Sequence, residues 1–241
     1  MLELDLDLDH SGTPPGPEVL ECEKGWVYAV LMGVGGYFGA FTYSVRGGVF
    51  CNAQTANFVL LAMALGNGAW GRAAYYLIPM SAYLLGTVVS EALPGPIRRR
   101  GLIRWDTLLV LVEMLVVAIL GALPESAPYQ VSQIAINFIC SMQYNTFRQA
   151  GGIPMAFCTN HVRQTGIALV RVIHSQGGPA HVKKFLTHLL MLGVFVAGGA
   201  AATILCRYLQ GRALWVTLVP LAVVFFRLLR ADLIKERGTF D

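Results

Sequence analysis

Two short stretches of this chain carry residue types suited to holding a polar solute. Asn52, Gln54, Thr55 and Asn57 place four amide or hydroxyl side chains within six residues, beside an apolar run. Thr159, Asn160, His161 and Arg163 form a comparable group in the second half. Amides and hydroxyls both donate and accept hydrogen bonds. The same residue types also cap helix starts, so lining a site and capping a helix both fit Asn52, Thr55, Thr159 and Asn160. His161 and Arg163 suit an anion near a helix N-terminus, or else a position at the membrane surface.

A third group lies on one helical face. Gln130, Gln133, Asn137, Ser141 and Asn145 are spaced by 3, 4, 4 and 4 residues. In lipid such a face turns inward, either to line a polar path or to glue helices together at about 0.6–2 kcal/mol per hydrogen bond. Gln143 accompanies it. Glu113 stands inside an apolar run, where an ionisable group is a proton or ion site by default or a carboxylate paired to a neighbouring helix. No HExxH, GxSxG or GxxxxGK[ST] pattern occurs. The five cysteines form no CxxC pair and read as small apolar fillers. No enzyme activity, catalytic residue, metal site or cofactor is expected.

The elements that must position these groups follow from composition. Of 241 residues, 55% are hydrophobic and 13% charged, against roughly 25% charged in a soluble domain. That excludes an ordinary soluble enzyme and a nucleic-acid binder. It indicates an all-α integral membrane protein. Six runs, at about 26–45, 70–93, 105–123, 128–147, 183–207 and 212–230, are long enough to cross a bilayer. Trp26, Trp70, Trp105 and Trp215 mark span starts, the level such rings prefer. With both termini in the cytoplasm, 14 of the 18 basic residues fall inside; Arg46, Arg72, Arg207 and Arg212 fall outside. Pro79 and Pro220 are expected to kink their spans. Gly35, Gly36, Gly39, Gly193, Gly198 and Gly199 are expected to let helices pack closely.

Two further runs, 54–66 and 159–173, are helical in pattern but too short to cross. Thirteen residues reach only about 20 Å. Each follows a glycine pair and a Phe-Cys, at Gly47-Gly48 with Phe50-Cys51 and at Gly151-Gly152 with Phe157-Cys158, and each glycine pair follows an arginine, Arg46 or Arg148. The whole reads as six transmembrane helices plus two short re-entrant half-helices in a 3+3 inverted repeat. Residues 1–25 are an acidic flexible tail, 26–125 and 126–230 the two membrane repeats, and 231–241 a short basic tail.

GGYFGAFTYSVRGGVFCNAQTANFVLLAMAL (35–65), YYLIPMSAYLLG (75–86) and MQYNTFRQAGG (142–152) resemble the YoaK-like (DUF1275) membrane family, a bacterial family of unknown function. The resemblance covers about residues 26–230, and the FxNAQT-like stretch is its most specific piece. In that family a Thr-Gly-Asn triplet opens each short helix. Here Thr55-Ala56-Asn57 and Thr159-Asn160-His161 stand in its place; both lack the glycine and the second lacks the asparagine. The resemblance implies a multi-span protein of the bacterial inner membrane and supplies no reaction.

The expectation is a transporter or channel-like permease for a small polar or anionic solute, bound near the midplane where the half-helices meet. Asn52, Gln54, Thr55, Asn57, Gln143, Thr159, Asn160, His161 and Arg163 would line that site. Glu113 would couple a proton or ion, and Gln133, Asn137, Ser141 and Asn145 would line a path. The alternative is a non-transporting scaffold or lipid-interacting protein. Expected partners are membrane lipids, the solute and, in one arrangement, a second copy of the chain; nucleic acid is not among them.

Overall fold

The computed structural model describes residues 19–98, 103–147, 149–150, 153–154, 158–174 and 178–236. The described chain is helical: α1 (Gly25–Val45), α2 (Gln54–Gly66), α3 (Trp70–Ala92), α4 (Pro94–Arg98), α5 (Trp105–Gly121), α6 (Tyr129–Thr146), α7 (Cys158–His174), α8 (Pro179–Leu209) and α9 (Leu218–Arg230). A 3-10 turn precedes α1, a 3-10 segment (Gln210–Thr217) joins α8 to α9, and a π-helical turn (Ala231–Lys235) follows α9. The strands β1 (Gln149–Ala150) and β2 (Ile153–Pro154) pair antiparallel as a two-residue ladder. By length and composition, Trp70–Ile97 and Pro179–Ile234 are long and apolar enough to cross a membrane.

Local chemistry sets the boundaries. Gly178 and Pro179 open α8, where a proline at the first position loses no hydrogen bond. Gln210, at φ +48°, ends it. The run expected as one helix over 212–230 is therefore broken, with α9 starting only at Leu218. Pro220 sits in the first turn of α9 and starts a helix instead of kinking one. Pro79 lies inside α3 as expected.

Contacts at the helix ends fix their directions. At one end, Glu21 pairs with Lys24 (2.8 Å) and Arg227 (3.3 Å), and Arg104 pairs with Asp106 and Glu236 (both 3.2 Å). The Asp232 carboxylate accepts from the Arg104 backbone N–H at 3.0 Å. At the other end, Arg46 meets Glu125 at 3.2 Å, Glu125 accepts from the Gly211 N–H at 2.8 Å, and the Tyr37 hydroxyl donates to the Ala213 carbonyl at 2.5 Å. So α1 and α5 run from the Arg104 end to the Arg46 end, and α9 runs back.

α8 lies parallel to α1, and α3 lies parallel to α6. A Cβ on Gly36 would run into the Phe195 carbonyl, and one on Gly198 into the Gly33 carbonyl. These glycines bring α1 and α8 into backbone contact. Gly193 has nothing within 4 Å of such a Cβ and takes no part. Gly35 and Gly39 face elsewhere, as described below. The remaining packed pairs among the long helices are α2–α3, α7–α8, α5–α9, α5–α6, α1–α9 and α1–α6.

The interior is polar in places and the exterior is apolar. Glu113, Gln133, Asn137, Gln143 and Asn57 are 0% exposed, while Leu84 is 66%, Ile173 68% and Phe226 63% exposed. A water-soluble protein sorts these residue types the other way.

Two expected outcomes follow. Gly36→Ala overpacks the α1–α8 seam and should cost about 1–3 kcal/mol. Gly193→Ala should match the wild type or gain about 0.5–1 kcal/mol from helix propensity. Thermal melts in detergent compare them, and equal effects would disprove this seam. The second concerns Glu125. Burial opposes its ionisation, but the Gly211 N–H, the Arg46 guanidinium and Arg212 outweigh burial and hold its carboxyl below the ordinary 4.5. A folded pKa below the unfolded one gives stability that is full above about pH 4.5 and lost as pH falls through the folded value. Acid melting should therefore be less steep with pH in Glu125→Gln than in the wild type; Glu21, lowered by Lys24 and Arg227 against burial, leaves a remainder.

Candidate functional site

The site begins where α1 ends. Gly47 and Gly48 hold φ of +82° and +74°, a left-handed pair that turns the chain back on itself. A Cβ on Gly47 would also strike the Tyr75 hydroxyl. Residues 49–53 then run back along the bundle to about mid-length, where the Asn52 amide donates to the Gly35 carbonyl at 2.7 Å. Gly39 is the slot for that side chain, since a Cβ there would lie 2.8 Å from Asn52 Oδ1, and Gly35 admits Tyr144, whose hydroxyl would lie 2.7 Å from a Cβ at that position. From there α2 returns toward the Arg46 end.

Side chains satisfy this extended backbone. Asn57 brackets Phe50, accepting from its N–H at 3.1 Å and donating to its carbonyl at 2.6 Å. The Cys51 N–H donates to the Thr42 hydroxyl at 3.3 Å. Gln133 donates to the Arg46 carbonyl and to the Tyr75 hydroxyl, and Tyr75 donates to the Gly47 carbonyl at 3.2 Å. Gln54 donates to Asn137 Oδ1 at 3.1 Å and accepts from Asn57 at 3.2 Å. The Cys51 and Cys140 sulfurs lie 3.6 Å apart.

Asn52, Gln54, Asn57, Gln133 and Asn137 are thus brought together. Capping is not their role: Ala53 is the N-cap of α2, and no side chain caps it. Thr55 is exposed and outside the network, because it follows Gln54 on a helix whose inward face is set by Gln54 and Asn57. Sequence reasoning missed Tyr75, Tyr144 and Thr42. The i, i+4 spacing of Gly35 and Gly39 was visible but was assigned to helix–helix packing.

The second group is not gathered at this place. His161 is buried and its Nδ1 lies 3.0 Å from Nδ1 of His188 on α8, which is itself buried and not interfacial. Thr159 is exposed, and Arg163, also exposed, donates to Asn160 at 2.9 Å. α2 packs on α3 and α7 packs on α8. Gln143 also stands apart, donating to Glu113 Oε2 at 3.0 Å. Ser141 bonds the Phe138 carbonyl, and Asn145 reaches Ser90 and Glu91 on α3. The expected polar face of α6 is therefore met by protein along Gln133, Asn137, Ser141 and Asn145. Arg148, Gly151, Gly152 and Phe157 lie outside the described residues.

Fold and site together define a helical chain that buries amides and carboxylates, Glu113 fully, and presents apolar side chains outward. The chain matches the family described as "Protein of unknown function (DUF1275)" over residues 27–227, and it belongs to that family. No curated protein and no solved structure matches it.

Asn57→Ala removes both bonds to Phe50 and leaves a buried N–H and C=O unpaired, at about 1–3 kcal/mol each. A large loss of thermal stability is expected, with Thr55→Val close to neutral. Equal melting temperatures for the two variants would refute the bracket.

Proposed function

We propose that this chain is an integral membrane protein that works as a transporter or channel-like permease for a small polar solute. The observation that carries the reading is a helix, α2, that starts at mid-length in the bundle with Asn52, Gln54, Asn57, Gln133 and Asn137 around its start. A helix start offers free N–H groups and about half a positive charge. Irregular backbone at membrane depth is tolerated where protein buries it or a polar path passes.

The outward apolar side chains support a lipid setting. The 21 residues of α1 and the 18 of α6 correspond to about 32 and 27 Å, close to the ~30 Å of hydrocarbon. With α3, α5, α8 and α9, the thirteen residues of α9 being lengthened by the 3-10 segment before it and the π-helical turn after it, they make six crossings. Arg46, Arg72, Arg207 and Arg212 belong to one end, so the Arg104 end is the cytoplasmic one. The packing supports an inverted 3+3 repeat. Exchange α1, α2, α3 and α5 for α6, α7, α8 and α9. The α1–α8 pair becomes α6–α3, α2–α3 becomes α7–α8, and α5–α6 becomes α9–α1; α1–α6 and α5–α9 map onto themselves. On this reading α2 and α7 are half-helices that re-enter from opposite faces.

A second reading, a membrane scaffold, is favoured by one observation. Gln54, Asn57 and Asn137 around α2 are bonded to one another, and a cavity of about 450 Å³ lies at the Glu125 end beside Leu123, Tyr208, Gln210 and Arg212.

The test is thermal stability of the purified protein against a panel of small anions and polar metabolites. A solute at a hundredfold excess over its Kd should add about 2.7 kcal/mol. Gln54→Leu and Asn137→Leu should abolish the shift in a protein that still folds. A folded wild type with no shift across the panel would favour the scaffold.

A further inference from the structure

Glu113 and Gln143 raise a question of hydrogen-bond accounting that the transport reading does not use. Both side chains are fully buried. Gln143 Nε2 donates to Glu113 Oε2 at 3.0 Å. The other oxygen of each group, Glu113 Oε1 and Gln143 Oε1, is buried without a partner. Cys140 on α6, with Cys51 behind it, is the titratable group that faces the carboxyl. Among the described residues, no lysine, arginine or histidine bonds or pairs with it.

An ionised carboxylate here would keep one oxygen bare, deep in a low-dielectric interior, with a bare amide oxygen on its only partner. Such a charge is among the costliest groups to bury. One proton removes both faults. A primary amide and a carboxylic acid can close a ring of two hydrogen bonds: the amide N–H donates to one carboxyl oxygen, and the acid O–H donates to the amide oxygen. The ring matches one amide N–H and the acid O–H to the two oxygens facing them, and the second N–H of Gln143 stays outside it.

We propose that Glu113 is a buried proton-binding site, holding its proton at neutral pH in a cyclic acid–amide pair with Gln143 that joins α5 to α6. The ligand is the proton itself. Releasing it leaves the Gln143 oxygen and the carboxylate bare, so release requires α5 and α6 to part or water to reach the pair. Proton occupancy and the α5–α6 contact are linked, whatever solute the protein carries.

Infrared spectroscopy of the full chain in liposomes at neutral pH tests this. The expected result is a carboxylic-acid C=O band that shifts in D₂O, disappears in Glu113→Gln and persists in Glu125→Gln. In Gln143→Leu the band should move to higher frequency, as a carbonyl freed from its hydrogen bond does. Glu113→Gln should fold with the wild-type melting temperature, because an amide at 113 restores a two-bond ring with Gln143. Absence of the band, or a band unaffected by Glu113→Gln, overturns the proposal. Failure of Glu113→Gln to fold overturns it too, since an ionised carboxylate would then be what the bundle needs. None of these readouts involves solute, so a negative solute panel leaves the proton site standing, and the reverse also holds.

Discussion

The backbone between Arg46 and Ala53 has no helix or sheet of its own to satisfy it, and much of the interior is arranged around that fact. Every buried N–H and C=O there needs a partner. The partners are side chains drawn from four elements: Thr42 from α1, Asn57 from α2, Tyr75 from α3 and Gln133 from α6. Gly47 and Gly48 make the reversal possible, Gly39 makes room for Asn52, and Gly35 makes room for Tyr144. Two kinds of glycine use thus coexist on α1. One face, with Gly36, admits α8; another admits Asn52 at Gly39 and Tyr144 at Gly35.

The two halves solve related problems with different chemistry. Asn57 and His161 occupy the third position of corresponding triplets. Asn57 has an amide that mimics a peptide group and brackets one residue of extended chain. Histidine lacks that paired donor and acceptor on one edge, and His161 turns to a second histidine, His188, on the adjacent helix. In a pair joined through two Nδ1 atoms, one ring donates and the other accepts, so a single proton between them suffices. The first half of the chain therefore ties α2 to its own loop, and the second ties α7 to the next helix. That difference explains why Thr159, Asn160 and Arg163 do not converge on the amide cluster although the sequence pattern recurs.

Much of the fold was legible because apolar run length and glycine or proline punctuation are local properties. The limits of α1, α3, α5 and α6 follow from them within a few residues, and α2 was recognisable as short and glycine-led. The break before α9 was not, since Pro220 is equally compatible with a kink and a first turn, and only the conformation at Gln210 decides. The site was half legible. Of the four closely spaced polar residues at 52–57, Asn52, Gln54 and Asn57 lie in the bonded region near Gln133 and Asn137, and Thr55 does not. What each side chain bonds was not legible. N-cap preference is a statement about a helix start in isolation, and it misassigned Asn52 and Thr55 because α2 starts against another helix. Tyr75 carries no local signal; it matters only because α3 lies beside the turn at Gly47.

The closed amide network bears on how a solute would enter, and it does not by itself decide against one. Opening the Gln54–Asn137 bond without replacement strands two buried amide groups, at about 1–3 kcal/mol each. An apolar molecule offers no replacement and meets that cost in full. A polar solute supplies its own donors and acceptors, so the exchange costs little, as it does when ordered water substitutes for a direct bond. On the proposed transport reading, selectivity for polar solutes would arise from the bonds among Gln54, Asn57 and Asn137 being made at rest, because only a solute that re-satisfies those three side chains can take their place; Gln133 Oε1 is buried without a partner. On that reading a standing water-filled cavity is unnecessary: the bonded amides would close the site in the absence of solute, and the helix start behind them would provide N–H groups for an acceptor that displaces them.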